Sequence, residues 1–319
     1  NYQVPYPQVG NIGIGQCALY DGGGYLDVAI GAQALTQYGR GGNAALGAYA
    51  LCSGGCANVA VGFMALNSNP DSNNLYNIMY NVAVGACAMC CGGYAANNIA
   101  VGGGAYMGAS GTGNIVIGYN TMSECSSAGN TQFNVVIGHG AMSFGSSYNQ
   151  NNVGIGVATM NSTMSGLGNT AIGAYTLFNT TVGLCNVVVG YNSGCNITTG
   201  CYNVILGSNV GTAIATSNNN IIISDGAGNI RHQFNCCGAL SMDGTNYGTS
   251  GYVLTTQGSS AKPVWSSVSS LSPQATPTAL GTVYACTCSG TIGNTALGYY
   301  ALNNVNTSGV CNTAIGTCA

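Results

Sequence analysis

Along most of the chain, apolar residues alternate with small or polar ones for five positions at a time, and each such stretch opens on Asn and closes on Gly. NVAVGACAM from Asn81, NIVIGYNTM from Asn114, NVVIGHGAM from Asn134, NTAIGAYTL from Asn169 and NTALGYYAL from Asn294 are versions of one nine-residue phrase. Alternation with a period of two marks a strand. The density of Gly and β-branched residues argues against helix. Counted from the Asn or Asp that heads N-x-x-x-G, units begin at Asn11, Asp27, Asn43, Asn58, Asn81, Asn98, Asn114, Asn134, Asn152, Asn169, Asn186, Asn203 and, in degenerate form, Asn220. Their spacings are 16, 16, 15, 23, 17, 16, 20, 18, 17, 17, 17 and 17 residues. Units this short bury an apolar face only by stacking on their neighbours, which makes a solenoid. The expected fold class is all-β, a parallel β-solenoid whose two-strand coils rise ~4.8 Å each, so that thirteen would form a rod of roughly 60 Å.

Within a unit the first and third residues after Asn are apolar in nearly every copy, as at Ile12 and Ile14, Val59 and Val61, Ile115 and Ile117, Val187 and Val189. They are expected in the core. The middle residue is usually Ala, Gly or Val, as at Ala60, Ala83, Ala100, Val116, Val136, Gly154 and Ala171, and is expected to face a neighbouring coil or chain. Past the glycine, a second short stretch ends in a large apolar residue: Leu19, Leu35, Leu51, Leu66, Met89, Met122, Met142, Met160 or Leu177. That stretch is read as the second strand. The structural residues are then the pairs Asn58 and Gly62, Asn81 and Gly85, Asn114 and Gly118, Asn134 and Gly138, Asn169 and Gly173, and Asn186 and Gly190. Glycine takes positive φ at a corner without steric cost. Asparagine tolerates left-handed turns, and stacked copies would form a side-chain ladder.

The run N-[VIT]-[AV]-[IVL]-G followed by small-x-Leu/Met resembles the head repeats of trimeric autotransporter adhesins, and more closely the longer-period repeats in fibre proteins of bacteriophages and giant viruses. GNIRHQF from Gly228 and DGTNYGTSGYVLTTQGSSAKPVW from Asp243 to Trp265 are similar to the connector that follows such repeats, and TPTALGTVYA from Thr276 resembles the start of a further block. The resemblance implies a left-handed β-roll, commonly trimeric, in an attachment or decoration fibre on a virion or other extracellular surface. Residues 1–225 are read as the repeat domain of about 13 coils, 226–275 as a small β connector, and 276–319 as resumed coils. NSNPDSNNLYNIMY, from Asn67 to Tyr80, is expected to bulge as a loop. The final coil stops inside a unit and the first residue is not Met, which predicts a fragment or processed chain, or a head-to-tail joint in which the coils from Asn294 and Asn312 dock on the Asn11 coil of the next subunit. A thin coil with small middle residues also predicts self-association, as three parallel chains.

Charge narrows the function further. Only 3% of residues are charged: Arg40, Arg231 and Lys262 against Asp21, Asp27, Asp71, Glu124, Asp225 and Asp243. Three scattered cations cannot neutralise a phosphate backbone, so nucleic acid is not an expected partner. No apolar run approaches the ~18 residues of a spanning helix, so membrane insertion is not expected either. A nucleophilic triad needs a histidine in contact with the nucleophile, and the only two are His139, just past a corner glycine, and His232, between Arg231 and Gln233. His139 is read as a surface turn residue; His232 lies near Asp225 and Asp243 in sequence, but no catalytic or self-cleaving motif surrounds it. The chain is read as non-enzymatic and without a cofactor, either an attachment fibre that meets a host glycan or protein, or the subunit of an extracellular filament. Tyr119, Tyr175, Tyr191, Tyr299 and Tyr300, just past corner glycines, are read as a structural ladder or as contact surface.

The sixteen cysteines leave three alternatives open. An oxidising location permits disulfides within a coil, with Cys52 and Cys56 or Cys195 and Cys201 as candidate pairs. Thiols also fill small turn positions. Cys52 and Cys56 with Cys87 and Cys90 have the outline of a zinc site.

Overall fold

A computed structural model of the chain describes residues 9–20, 24–37, 39–67, 78–93, 95–108, 110–123, 131–143, 149–162 and 165–268, together with the strands Val283–Tyr284, Thr295–Leu297 and Thr313–Ile315. The described residues form strands and turns, with one short 3-10 turn at Thr212–Ile214 and no α-helix. The largest sheet has fifteen strands. Its first thirteen, from Ile12–Ile14 to Ile221–Ser224, run parallel and follow one another in chain order. Neighbours pair without offset: Val116 of strand Ile115–Ile117 lies opposite Ala100 on one side and Val136 on the other. The repeats are a parallel β-solenoid, as the spacing predicts.

The burial of the strands is the reverse of that expectation. The middle residue is the buried one: Ala60, Ala83, Ala100, Val116, Val136 and Ala171 have no accessible surface. Ile115 and Ile117, Val187 and Val189, Val59 and Val61 lie on the outer side, partly or well exposed. The alternation is right and the face is inverted. The coil is too thin to hold two rows of Ile and Val inside, because the opposite wall already supplies large side chains. Leu35, Leu51, Leu66, Met122, Met142, Met160 and Leu177 are all buried and pack across onto the middle residues.

Volume is exchanged across this narrow core. At Gly154 an added Cβ would lie 2.6 Å from the Met160 methyl, so methionine fills the space that the glycine leaves. In the Asn186 coil the sizes are swapped. There Val188 is the middle residue, and Gly194 stands where other coils carry Leu or Met; a Cβ on Gly194 would meet Val188, Leu177 and Ile197 at 3.1 to 3.3 Å. Close packing of this kind leaves little room for error.

The corner glycines take positive φ. Gly118 has φ 135°, and an added Cβ would sit 2.3 Å from the carbonyl oxygen of Gly138 in the next coil. The stretch beyond the corner, however, is a turn rather than a second strand. Its closing residues take left-handed backbone, φ 48° at Leu35 and 49° at Met122, which an extended strand cannot accommodate. Second β pairings occur instead just before the next Asn, where Ala95–Ala96, Gly111–Thr112 and Thr131–Gln132 form one parallel ladder and Gly39–Gly41 pairs with Gly55–Cys56.

The parallel stack ends in an antiparallel turn-back. Ile221–Ser224 pairs with Ile230–Phe234, which pairs with Leu240–Ser241. The chain divides into two compact units, residues 1–248 with 257–263, and residues 249–256 with 264–319, so that 226–275 is shared between them. In the second unit, Tyr252–Thr255 and Val264–Ser267 form an antiparallel hairpin. Also there, Thr295–Leu297 and Thr313–Ile315 pair in parallel, the backbone pattern of a resumed repeat. Most of the Asn67–Tyr80 insert and the side chains of the proposed docking coils lie outside the described residues.

Met122→Ala should lower unfolding stability by about 2–5 kcal/mol, since a fully buried side chain is lost and its cavity stays. Urea unfolding followed by circular dichroism measures this. A loss below about 1 kcal/mol would contradict a close-packed interior.

Candidate functional surface

The repeated asparagines are buried and joined in a continuous side-chain ladder. The Oδ1 of Asn114 accepts from the backbone N–H of Asn134 at 3.0 Å and from its Nδ2 at 2.9 Å. The Nδ2 of Asn114 donates to the Oδ1 of Asn98 at 3.1 Å and to the carbonyl of Thr131 at 3.0 Å. The pattern recurs at Asn58, Asn81, Asn134, Asn169 and Asn186, each without accessible surface. Backbone-to-side-chain links run unbroken from Asn11 to Asn220. Each side chain thus satisfies a buried amide of the next coil as well as its own polar atoms, which a buried polar group requires.

One rung differs. Asp27 is buried, and its Oδ1 accepts from Asn43 at 2.9 and 3.0 Å, but its Oδ2 has no partner. At the corresponding point Asn11 donates to the Gly24 carbonyl and Asn43 to the Gly55 carbonyl. A carboxyl oxygen replaces that donor at Asp27. The adjoining Gly39–Gly41 strand carries a register irregularity, so the imperfect rung and the irregular strand belong to the same coil.

Outside the ladder lies an apolar face. It consists of the first and third strand positions, including Ile14, Ile30, Leu46, Val59, Ile99, Val101, Ile117, Ile155, Ile172, Val187, Leu206 and Ile223, each more than a third exposed. The residues just before the ladder Asn extend it with Leu26, Tyr80, Phe133 and Tyr202, all exposed. No Asp, Glu, Lys or Arg occupies these positions. A monomer surface rarely shows so long an apolar patch without a use for it.

Beyond the corner glycines runs an exposed aromatic row. Tyr49 meets Phe63 edge-on with ring centres 6.1 Å apart, Tyr119 stacks on His139 at 5.6 Å, and Tyr175 meets Tyr191 edge-on at 6.1 Å. Contacts run between neighbouring coils, while the rings keep open faces. Tyr299 and Tyr300 lie outside the described residues.

His139 belongs to the aromatic row, and His232 sits in strand Ile230–Phe234, opposite Ile223. Asp225 pairs with Arg231 at 2.5 Å; hydrogen bonds from Asn229 first, then the guanidinium, push its pKa down to about 2. Asp243 pairs with Lys262 at 2.5 Å, and that ammonium together with the loop amides holds it well below the usual carboxylate range. Cys52, Cys56, Cys195 and Cys201 stand as free thiols. Cys52 donates to the Gln33 carbonyl and Cys201 to that of Thr199, while burial pushes the Cys195 thiol up. The zinc outline of Cys52, Cys56, Cys87 and Cys90 does not close, because no group of three or more His, Cys, Asp or Glu among the described residues is placed to hold a metal. No helix among the described residues is long and apolar enough to cross a membrane.

The fold and surface define the class, an asparagine-laddered parallel β-solenoid with an apolar outer face. No known protein family, curated protein or solved structure matches the chain.

Asp27→Asn should stabilise the fold by about 1–3 kcal/mol, because it replaces an unpartnered buried acceptor with a donor. Asn114→Ala should destabilise by at least about 3 kcal/mol, since buried groups in the coils on both sides lose partners. Thermal and urea unfolding of the two variants beside the parent measure both effects, and a neutral Asn114→Ala would remove the ladder's role.

Proposed function

We propose that the chain is a structural fibre protein, non-enzymatic, that associates with copies of itself through the apolar outer face and serves as an attachment or decoration fibre on a virion or cell surface. The observation that carries the reading is the uncharged double row of Ile, Val and Leu repeated once per coil. A surface that matches this row over its length must share its axial spacing, which a second copy of the chain does by construction. Three parallel, left-handed rolls of ~16–18-residue coils, as the repeat resemblance implies, would bring three such faces to one axis and leave the aromatic rows to meet a host glycan or protein. The near absence of charge favours a second reading, a filament subunit joined end to end, since little repulsion opposes polymerisation.

The interface assigned here is the outer pair of rows, not the small middle row. Ile117→Lys combined with Ile137→Lys should therefore reduce an oligomer to a folded monomer, because unpaired charges would enter the contact. Ala83→Arg, in the interior, should unfold the chain instead. Sedimentation mass and circular dichroism separate these outcomes. A monomeric parent chain at physiological salt would sink the proposal, and indefinite polymers in electron micrographs would favour the filament.

A further inference from the structure

The turn-back that ends the solenoid is built from two loops of one design. In the first, Asp225–Asn229, the Oδ1 of Asp225 accepts from the backbone amides of Ala227 at 3.0 Å and Asn229 at 2.9 Å. In the second, Asn235–Ala239, the Oδ1 of Asn235 accepts from the amides of Cys237 and Ala239, both at 3.0 Å. The backbone bonds correspond as well: Asp225 to Asn229 and Gly228 to Asp225 in one, Asn235 to Ala239 and Gly238 to Asn235 in the other. Gly228 and Gly238 both take left-handed φ, at 88° and 78°. The loops share only the glycine at their fourth position and a side-chain acceptor, Asp or Asn, at their first, and the exposed tip is formed by their second and third residues. These are Gly226 and Ala227 in DGAGN, and Cys236 and Cys237 in NCCGA. The turn therefore does not require cysteine at either position.

Both thiols are exposed at the loop tip, with their sulfurs 3.8 Å apart. We propose that Cys236 and Cys237 form a redox-responsive pair that a small-molecule disulfide closes to a vicinal disulfide and a dithiol reductant reopens. This goes beyond the fibre reading and does not depend on it. The thiol of Cys237 is pushed up by its hydrogen bond to Cys236 and by the charge of Cys236 once that thiol has ionised. The Cys236 thiolate attacks one sulfur of an oxidant RS–SR, forming a Cys236–SR mixed disulfide and releasing one RS⁻. Cys237 then loses its proton to solvent and attacks the Cys236 sulfur, expelling the second RS⁻. The protein gives up two protons and two electrons, and the oxidant becomes two thiols. Adjacent α-carbons are about 3.8 Å apart, short of the usual disulfide span of about 4.4–6.8 Å, so the bond is strained and easily reduced. It is suited to switching rather than to stapling the fold.

The sequence supplies a clean readout. Cleavage before aspartate releases Asp225–Met242, which contains Cys236 and Cys237 and no other cysteine. The native full-length chain would be incubated with oxidised glutathione, alkylated, digested and weighed. The expected peptide is unalkylated and about 2 Da lighter than its reduced form, and dithiol treatment restores two alkylatable thiols. Cys236→Ser and Cys237→Ser should each stall as a glutathione adduct or remain a free thiol, without loss of the circular dichroism of the parent. A doubly alkylated peptide after oxidation, a stable glutathione adduct on the parent chain, or a disulfide to a second peptide would overturn the proposal.

Discussion

The amide of the repeated asparagine is the interaction on which the rest of the fold depends. Its oxygen receives two donors from the next coil, and its nitrogen donates back to the previous rung and across to a carbonyl. A buried amide left unpaired costs a large fraction of a domain's stability, so the coil must turn this side chain inward and keep successive coils in register. Side chains of a strand alternate. Once the Asn points in, the second residue after it points in as well, and the first and third point out. Register, coil spacing and the choice of core face all follow from one hydrogen-bonding requirement.

The core is correspondingly lean. Ala, Val or Gly on one wall meets Leu or Met on the other, and size is exchanged between walls, as in the pair Gly154 with Met160 against Val188 with Gly194. The larger β-branched residues are displaced to the outside. A chain with so few charges and so much outward Ile and Val carries an uncovered apolar face, which the proposed self-association would bury.

The turn-back at Ile230–Phe234 changes the chemistry of the chain. Antiparallel pairing replaces the ladder, and the two hairpin loops and the turn after them are held by single side chains, Asp225, Asn235 and Asp243, each accepting amides of its own loop. Two of the three basic residues are paired here with Asp225 and Asp243. Exposed pairs of this kind contribute little stability, and their value lies in fixing loop geometry. The same loops carry the exposed thiol pair at Cys236 and Cys237.

Periodicity alone determined the parallel stack, the place of the strand that follows each Asn, the corner glycines and the asparagine ladder, because these repeat in chemistry as well as in spacing; the second pairing, just before the next Asn, it did not. Glycine at Gly118 and asparagine at Asn114 announce their roles through properties that no other residue shares. Which side of each strand is inside was decided only by the tertiary structure. Alternating Ile and Val read as core on hydrophobicity alone, and nothing local reveals that the opposite wall has already filled the interior. The left-handed backbone at Leu35 and Met122 was equally hidden, since a bulky side chain disfavours it by roughly 1–2 kcal/mol. Stacked coils impose that conformation through contacts that an isolated segment cannot make.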